Sequence, residues 1–261
     1  MDDLEQPKSL ANGPAGQAAE GPGGDGGEVE SPGPAEGGSE FDDPTYRAAV
    51  VDLLGALAYG ELTAFSRLAA DADMAPNQPA KAALARVAVA EFHHYDVLTA
   101  RLREMSVDPD AAMEPFIAPI DGFHDRTKPS GWLEGLVKAY VGDGIATDFY
   151  REISAYVDPS TQILVRSVLQ DVGQAEFAVK TVREAIEADP SVAGRLALWG
   201  RRLVGEALSQ SQRVAVERDA LASLLVGGHD RPGADLAELG RVFVRLTDEH
   251  TRRMGRLGLK A

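Results

Sequence analysis

Apolar side chains recur every three to four positions through most of the chain after residue 43, a spacing that predicts α-helices almost throughout. The first predicted helix starts where Asp43 can cap it and Pro44 can occupy its first turn, and it ends near Ala72. Its apolar stripe consists of Leu54, Ala58, Phe65 and Leu68. Glu61 falls within this stripe, where an apolar residue is expected. No segment has a convincing strand pattern, so we predict an all-α fold.

Five further helices are predicted, and a long connection separates the second helix from the third. They span about 79–105, 131–156, 159–188, 191–225 and 234–257. We interpret the segment 106–130 as a loop of about twenty-five residues, a length typical of a crossover or a lid. Its prolines are Pro109, Pro115, Pro119 and Pro129. The order is therefore two helices, a long connection, two helices, and an added pair at 190–257.

Glu91 and His94 form a Glu-x-x-His step on the second predicted helix, so both side chains project from the same face. The apolar members of that face are Leu84, Val87 and Leu98. A carboxylate on a buried face is costly unless it is paired or bound to a metal ion. Glu61, on the preceding helix, can reach the same part of the core. We therefore predict a metal site at Glu61, Glu91 and His94. His93 lies one position off the inner face, and we expect it at a helix interface or at the surface.

Two helices, a long connection and two more helices resemble the ferritin-like four-helix bundle, in which metal ligands project inward from all four helices. In such bundles two helices each supply one carboxylate and two each supply a Glu-x-x-His pair. The third helix offers Asp143, but the fourth contains no Glu-x-x-His. Asp171 with Gln174 is the preferred substitute, and Glu176 is the weaker alternative. We predict such a bundle over residues 43–188, within a domain of residues 43–261.

The run Trp132 to Tyr150 resembles the third bundle helix of MiaE-type tRNA hydroxylases, and the similarity covers about residues 43–188. The similar segments are Leu136-Val137-Lys138-Ala139-Tyr140-Val141-Gly142-Asp143 and Thr147-Asp148-Phe149-Tyr150. The resemblance implies a non-haem di-iron enzyme that hydroxylates, with O2, the isopentenyl side chain of a methylthio-isopentenyladenosine in tRNA. It implies tRNA as the partner. The implied iron ligands are Glu61, Glu91, His94 and Asp143, with Asp171 in place of a bridging glutamate and Gln174 where a histidine is expected.

Gln174 weakens the second iron position, because a neutral amide oxygen is a poorer donor than imidazole. Two functions stay open at this point. The first is a non-haem iron-dependent oxidoreductase that holds one or two iron ions, without an assigned catalytic residue. The second is a ferritin-like scaffold or binding protein whose metal site is degenerate and supports no catalysis.

Composition changes this picture in two respects. The chain of 261 residues has no cysteine, which excludes disulfides and thiolate ligands and leaves oxygen and nitrogen donors for any metal. Its net charge is -15, but eleven acids lie in the first 43 residues beside the single base Lys8. This Gly- and Pro-rich segment, 1–42, predicts a disordered acidic tail that can contact basic partners. Without a signal segment or a run of about eighteen apolar residues, we predict a soluble, cytoplasmic protein with no membrane contact.

The added helices carry a second, weaker constellation. Glu206 and His250 could meet across this helix pair, either as a structural pair or as alternative metal ligands. The arginines of the two helices form the main cationic surface, and we expect many of them to pair with neighbouring acids such as Glu206, Glu217 and Asp248. The sequence also leaves room for a homo-oligomer.

Overall fold

The computed structural model describes residues 41–170, 174–226 and 236–261, and within these ranges all the regular structure is helical. The predicted all-α fold is confirmed; the predicted tail lies almost wholly outside the described residues. The helices are α1 (Pro44–Asp71), α2 (Gln78–Glu104), α3 (Pro109–Arg126), α4 (Trp132–Ser154), α5 (Pro159–Val168), α6 (Gln174–Ala188), α7 (Val192–Glu217), α8 (Asp219–Val226) and α9 (Leu236–Arg256). A 3-10 turn, Ala72–Met74, follows α1.

Four of these helices begin with the same local signal, a side-chain oxygen followed by a proline in the first turn. The capping residues are Asp43 for α1, Asn77 for α2, Asp108 for α3 and Asp158 for α5. Each accepts a hydrogen bond from a backbone N–H that the helix itself leaves without a partner. Proline fits behind such a cap because its missing N–H would have no intrahelical acceptor there. These signals are why the starts of α1, α2 and α5 could be predicted closely, whereas the same signal at Asp108 was assigned to a loop.

The prediction of a loop at 106–130 is wrong, because most of that segment folds as α3. Pro109 occupies the first turn, but Pro115 and Pro119 lie inside the helix, where each removes a backbone hydrogen bond. Met113 and Phe116 are buried in the core. Burial of these apolar side chains therefore offsets the unfavourable effect of the interior prolines.

A close approach of backbones fixes α3 against α1. A Cβ atom added at Gly55 would lie 2.7 Å from the carbonyl carbon of Ala112 and closer still to its oxygen. Only glycine permits that separation. The segment predicted to be a crossover loop or a lid is thus packed directly on the first helix of the bundle.

Two predicted helices are each divided in the structure. The predicted helix 159–188 contains α5 and α6 as separate helices, with residues 171–173 outside the described ranges. The predicted helix 191–225 breaks at Arg218, whose backbone leaves the helical conformation. The Arg218 guanidinium pairs there with the buried carboxylate of Asp52 on α1. The break lets Leu221 and Leu224 of α8 pack in the core beside α1.

The C-terminal segment is more than an added pair of helices, since α7, α8 and α9 all supply core residues. Leu203 and Met254 are fully buried. The indole N–H of Trp199 donates a 2.9 Å hydrogen bond to the backbone oxygen of Glu134 on α4. A Cβ atom at Gly200 would lie 2.6 Å from the sulfur of Met254, so α7 and α9 also approach closely. These helices complete the core around α4.

The buried apolar residues form two clusters, which succeed each other along α1 and α2. On α1 the first cluster runs as far as Ala58, whereas Leu68 belongs to the second. On α2 the order is reversed, with Ala88 in the second cluster and Leu98 in the first. Glu61, Glu91 and His94 occupy the level between the two clusters.

The stretch 44–74, which contains α1, is long and apolar enough to cross a bilayer by length and composition, with a mean hydropathy of 1.4 over its most apolar window. More than half of that window, 56%, is buried inside the protein. It also carries Asp52 and Glu61. These properties are typical of the central helix of a soluble domain. A cytoplasmic location stays a prediction.

Candidate metal site

Glu61, Glu91 and His94 are brought together by the packing of α1 along α2. The Nδ1 atom of His94 lies 3.5 Å from a carboxylate oxygen of Glu61 and 3.5 Å from one of Glu91. One ligating atom from each of the three residues lies within 4.8 Å of the other two. The helical period places Glu91 and His94 on one face of α2, and Glu61 meets them from α1. A single cation can be shared by groups at this separation.

The three side chains are largely excluded from solvent. Their exposed fractions are 12% for Glu61, 7% for Glu91 and 17% for His94. His94 Nδ1 is buried and makes no hydrogen bond. The separations of 3.5 Å are contacts between charged groups and are too long for good hydrogen bonds. A buried imidazole nitrogen without a hydrogen-bond partner is thus aimed at two carboxylates.

The electrostatics of the group are unbalanced. Burial raises the pKa of Glu61 well above its usual range, and the neighbouring Glu91 carboxyl raises it further, while His94 acts in the opposite direction. The carboxylates of Glu61 and Glu91 raise the pKa of His94 to about 10, against the effect of burial. Two acids therefore share one imidazolium in a poorly solvated place. A divalent cation would compensate both carboxylates and accept the imidazole nitrogen as a donor.

The donor set fits a first-row metal ion. Two carboxylates with one imidazole suit iron or manganese, and the lack of thiolates disfavours soft metals. The orphaned nitrogen of His94 and the adjacent carboxylates supply three ligands to one position. Three protein ligands leave coordination positions for water or substrate.

Asp143 lies on α4 and lines the same two cavities as Glu61 and Glu91. Asp143 is an exposed residue, whereas Glu91 is buried. Among the residues that the structure describes, the compact group of possible ligands comprises only Glu61, Glu91 and His94. Asp143 therefore faces the cavities without joining that group.

The remaining predicted ligands of the second position are only partly placed. Asp171 lies outside the described residues, and of Gln174 only its place as the first residue of α6 is described. Glu176 is exposed, and its neighbours Ala175 and Phe177 line the cavity instead. The ligation expected of Asp171 and Gln174 stays a prediction.

Glu206 and His250 have separate surroundings. A carboxylate oxygen of Glu206 lies 3.8 Å from Arg126 at the end of α3. His250 is buried on α9, its Nδ1 has no hydrogen-bond partner, and burial followed by the charge of Arg253 lowers its pKa. No ion pair joins the two residues in the part of the chain that the structure describes. The segment 106–130, predicted to be a loop, thus provides a partner for Glu206.

Two cavities meet at the candidate metal site. The first, here called the polar cavity, has a volume of about 310 Å³ and extends from His94 to charged residues of α4 and α9. The second, here called the apolar cavity, has a volume of about 280 Å³ and extends between α1, α3, α4, α7 and α8. Glu61, Glu91 and Asp143 line both cavities. The three acids therefore separate a charged compartment from a hydrophobic one.

Arg253, Asp148 and Gly144 shape the polar cavity, although no role in the site was predicted for them from the sequence. Arg253 of α9 donates hydrogen bonds to the Asp148 carboxylate at 2.5 Å and to the Gly144 backbone oxygen at 3.0 Å. A Cβ atom at Gly144 would lie 2.8 Å from Arg253 Cδ, so the glycine admits this side chain. The only sequence signal for this contact was the pair Gly144 and Asp148, four residues apart on α4. It could not identify Arg253, which lies more than a hundred residues further along the chain.

Tyr150 is a further residue of the site. In the sequence it was named only as the last residue of the segment that resembles MiaE-type hydroxylases. It lines the apolar cavity, and burial together with the charge of Glu61 raises its pKa well above the usual range. The phenol therefore stays protonated, close to the acids of the site.

An all-helical bundle with inward-facing carboxylates and a histidine at its mid-level defines a ferritin-like protein. A family model described as a ferritin-like domain of actinomycetes matches residues 44–228. Because this match covers more than half of the chain, the chain belongs to that family. A search of curated proteins finds no match. The narrower resemblance to MiaE-type hydroxylases stays a prediction.

Proposed function

We propose that the protein is a non-haem iron-dependent oxidoreductase that holds one iron ion at Glu61, Glu91 and His94. The supporting observation is the compact, buried group of two carboxylates and one imidazole, placed where a polar and an apolar cavity meet. When bound, iron supplies the redox chemistry and the reaction with O2 that these side chains cannot perform.

The chain's own residues have distinct parts in this proposal. Glu61 and Glu91 supply two negative charges, and His94 supplies a neutral nitrogen once its proton is displaced. The apolar clusters on both sides of the site keep bulk water away from it. Tyr150 keeps an O–H group beside Glu61 that can donate a hydrogen bond to a substrate or to a carboxylate. A second iron ion would depend on Asp143, Asp171 and Gln174.

Metal content after expression in iron-supplemented medium tests this proposal. We expect about one iron per chain in the parent protein and less than about a tenth in His94→Ala. His93→Ala is the matched control, since His93 is the exposed neighbour on the same helix. We expect this control to retain the iron content of the parent. A parent protein below about a tenth of a metal ion per chain rejects the proposal.

The alternative function is a ferritin-like scaffold without catalysis. The arrangement of Glu61, Glu91 and His94 also supports this alternative. A protonated His94 between two carboxylates is an ion-pair network that can exist without metal. This alternative predicts little change in the melting temperature when a chelator is added. The oxidoreductase proposal predicts that the chelator lowers it.

Hydroxylation of a tRNA adenosine is a narrower proposal that rests on the resemblance of residues 132–150. Few cationic side chains are available to a tRNA, because several arginines of α7 and α9 pair with acids, as the sequence led us to expect. The pairs are Arg213 with Glu217, Arg241 with Glu238, Arg245 with Glu152, Arg252 with Glu249 and Arg253 with Asp148. Mass spectrometry of tRNA nucleosides from a deletion strain tests the proposal, and an unchanged hydroxylated fraction rejects it.

A further inference from the structure

The apolar cavity contains a buried lysine without a hydrogen-bonded partner. Lys138 of α4 lines this cavity and is only 7% exposed. Its ammonium group makes no hydrogen bond or ion pair with any residue that the structure describes. The nearest aromatic contact is the ring of Phe123, 5.5 Å from Nζ. Burial, assisted by the charge of Arg67, lowers the pKa of Lys138 to about 8, although the charges of Asp71 and Asp125 act in the opposite direction. An unpaired ammonium in such a place favours an anion.

Two further polar atoms of the residues that line this cavity also lack partners. The Nδ1 atom of His124 and the Oε1 atom of Gln210 are buried without a hydrogen bond, and both residues line the apolar cavity. Burial, followed by the charges of Lys138 and Arg67, lowers the pKa of His124 to about 3, so its ring is neutral. A neutral imidazole has one N–H to donate. An N–H at His124 Nδ1 can donate a hydrogen bond to an anionic head group, whereas the Gln210 oxygen can only accept one.

The rest of the cavity is hydrophobic and leads to the candidate metal site. Its wall includes Leu57, Phe116, Ile145 and Leu221, and it reaches Glu61, Glu91 and Asp143. Lys138 and Asp143 are five residues apart on α4, which corresponds to a distance of about 7.5 Å along the helix axis. A molecule whose head group contacts Lys138 would thus present its chain to Glu61 and Glu91.

We propose that the apolar cavity binds a monocarboxylic acid with an apolar chain, the carboxylate on Lys138 and the chain directed toward Glu61 and Glu91. A cavity of this volume suits a chain of roughly ten carbon atoms. The proposal rests on the proposed function in one respect, since it identifies the substrate class of the same site. Binding itself requires no metal, so the two proposals can fail separately.

Isothermal titration of the metal-free full-length protein with decanoate, and with decanol as the uncharged counterpart, tests the proposal. We expect decanoate to bind at least about five-fold more tightly than decanol, because only the acid pairs with Lys138. Lys138→Met keeps the apolar stem and removes the charge, and it should abolish this preference. Lys128→Met is the matched control, since Lys128 is exposed and lies outside the cavity wall; it should bind as the parent does.

A second pair of variants tests the position of the chain. Gly60 lines the cavity, and a Cβ atom there would have no heavy atom within 4 Å. Gly60→Leu should therefore fill the cavity without disturbing its neighbours and weaken binding of both ligands at least about five-fold. Gly205→Leu is its control, because Gly205 is an exposed glycine in α7 outside the cavity wall with equally open surroundings.

The outcomes separate the two proposals. Decanoate binding that persists in His94→Ala, together with a parent that holds no iron, supports the cavity proposal and rejects the oxidoreductase. No decanoate binding by an iron-containing parent overturns the cavity proposal alone. Equal affinities for decanoate and decanol in the parent, or binding unaffected by Gly60→Leu, also overturn it. Should Lys138→Met fail to fold, the comparison of the two ligands in the parent and Gly60→Leu still decides the question.

Discussion

Glu61 is held at the mid-level of the bundle by apolar packing on both sides of it along α1. Ala58 and Leu68 belong to different hydrophobic clusters, so neither the helix nor the neighbouring α2 can shift without exposing apolar surface. The packing thus holds the two acids and the histidine close together. Their unfavourable electrostatic free energy is tolerated because it is small compared with the favourable free energy of burying the two clusters. A metal ion would relieve that imbalance.

Glu61→Gln should leave the metal-free protein equally stable or raise its free energy of unfolding by about 1 kcal/mol. The reason is that the raised pKa of Glu61 means its charged form is disfavoured in the folded state at neutral pH. The same substitution should remove the stabilisation that added Fe(II) or Mn(II) gives the parent. Chemical denaturation with and without metal measures both effects.

Glu104→Gln is the control for this variant. Glu104 is an exposed residue at the end of α2 that pairs with Arg101, and its loss should change stability by less than about 0.5 kcal/mol. It should not alter the response to metal. A Glu61→Gln protein that is clearly less stable than the parent without metal would contradict the electrostatic account of the site.

The elements around the site depend on close contacts that fix one helix against another. Gly55 lets α3 lie against α1, and α3 provides part of the wall of the apolar cavity. Asp158 caps α5 and also binds the start of α1, because the Tyr46 hydroxyl donates to its carboxylate at 2.9 Å. The backbone N–H of Asp158 in turn donates to the Tyr46 oxygen at 2.7 Å.

Gly55→Ala should lower the free energy of unfolding by about 1–3 kcal/mol, because the new methyl group would overlap the backbone of Ala112 and push α3 away. Gly60→Ala, in the same helix and with open space around it, should instead raise the stability by about 0.5–1 kcal/mol through helix propensity. Urea denaturation measures both variants. Equal effects of the two substitutions would exclude the tight contact between α1 and α3.

Asp158→Ala should cost about 2 kcal/mol, more than the roughly 1 kcal/mol expected for the simpler cap at Asp43 in Asp43→Ala. Burial alone would raise the pKa of Asp158, but hydrogen bonds from Ser160, Thr161 and Tyr46 outweigh it and lower the pKa to about 2. The carboxylate therefore stabilises the fold above its unfolded pKa, and this contribution is lost as the pH falls from about 4 to about 2.

The difference in stability between the parent and Asp158→Ala, measured by denaturation at several pH values, tests this linkage. It should be constant above about pH 5 and shrink as the solution is acidified. A difference that does not depend on pH between 5 and 2 would mean that the Asp158 carboxylate is not preferentially stabilised in the folded protein.

For the molecule as a whole, the helical bundle and the meeting of Glu61 with Glu91 and His94 could be predicted because both depend on local periodicity. Glu91 and His94 share a face by helical spacing alone, and Glu61 falls on the apolar stripe of α1. The folding of 106–130 as α3 could not be predicted, since tertiary burial of Phe116 overrides the effect of interior prolines. The break at Arg218 depends on Asp52, far away in the chain, and the position of Lys138 in a cavity depends on five helices.

Anomalous diffraction at the iron edge, from crystals grown after loading the protein with Fe(II), tests the central claim most directly. The account predicts one strong peak in contact with the carboxylates of Glu61 and Glu91 and with the imidazole of His94, at the level between the two apolar clusters. It also predicts that the peak disappears in crystals of His94→Ala and remains in those of His93→Ala. A well-ordered structure with no anomalous peak among these three side chains would contradict it.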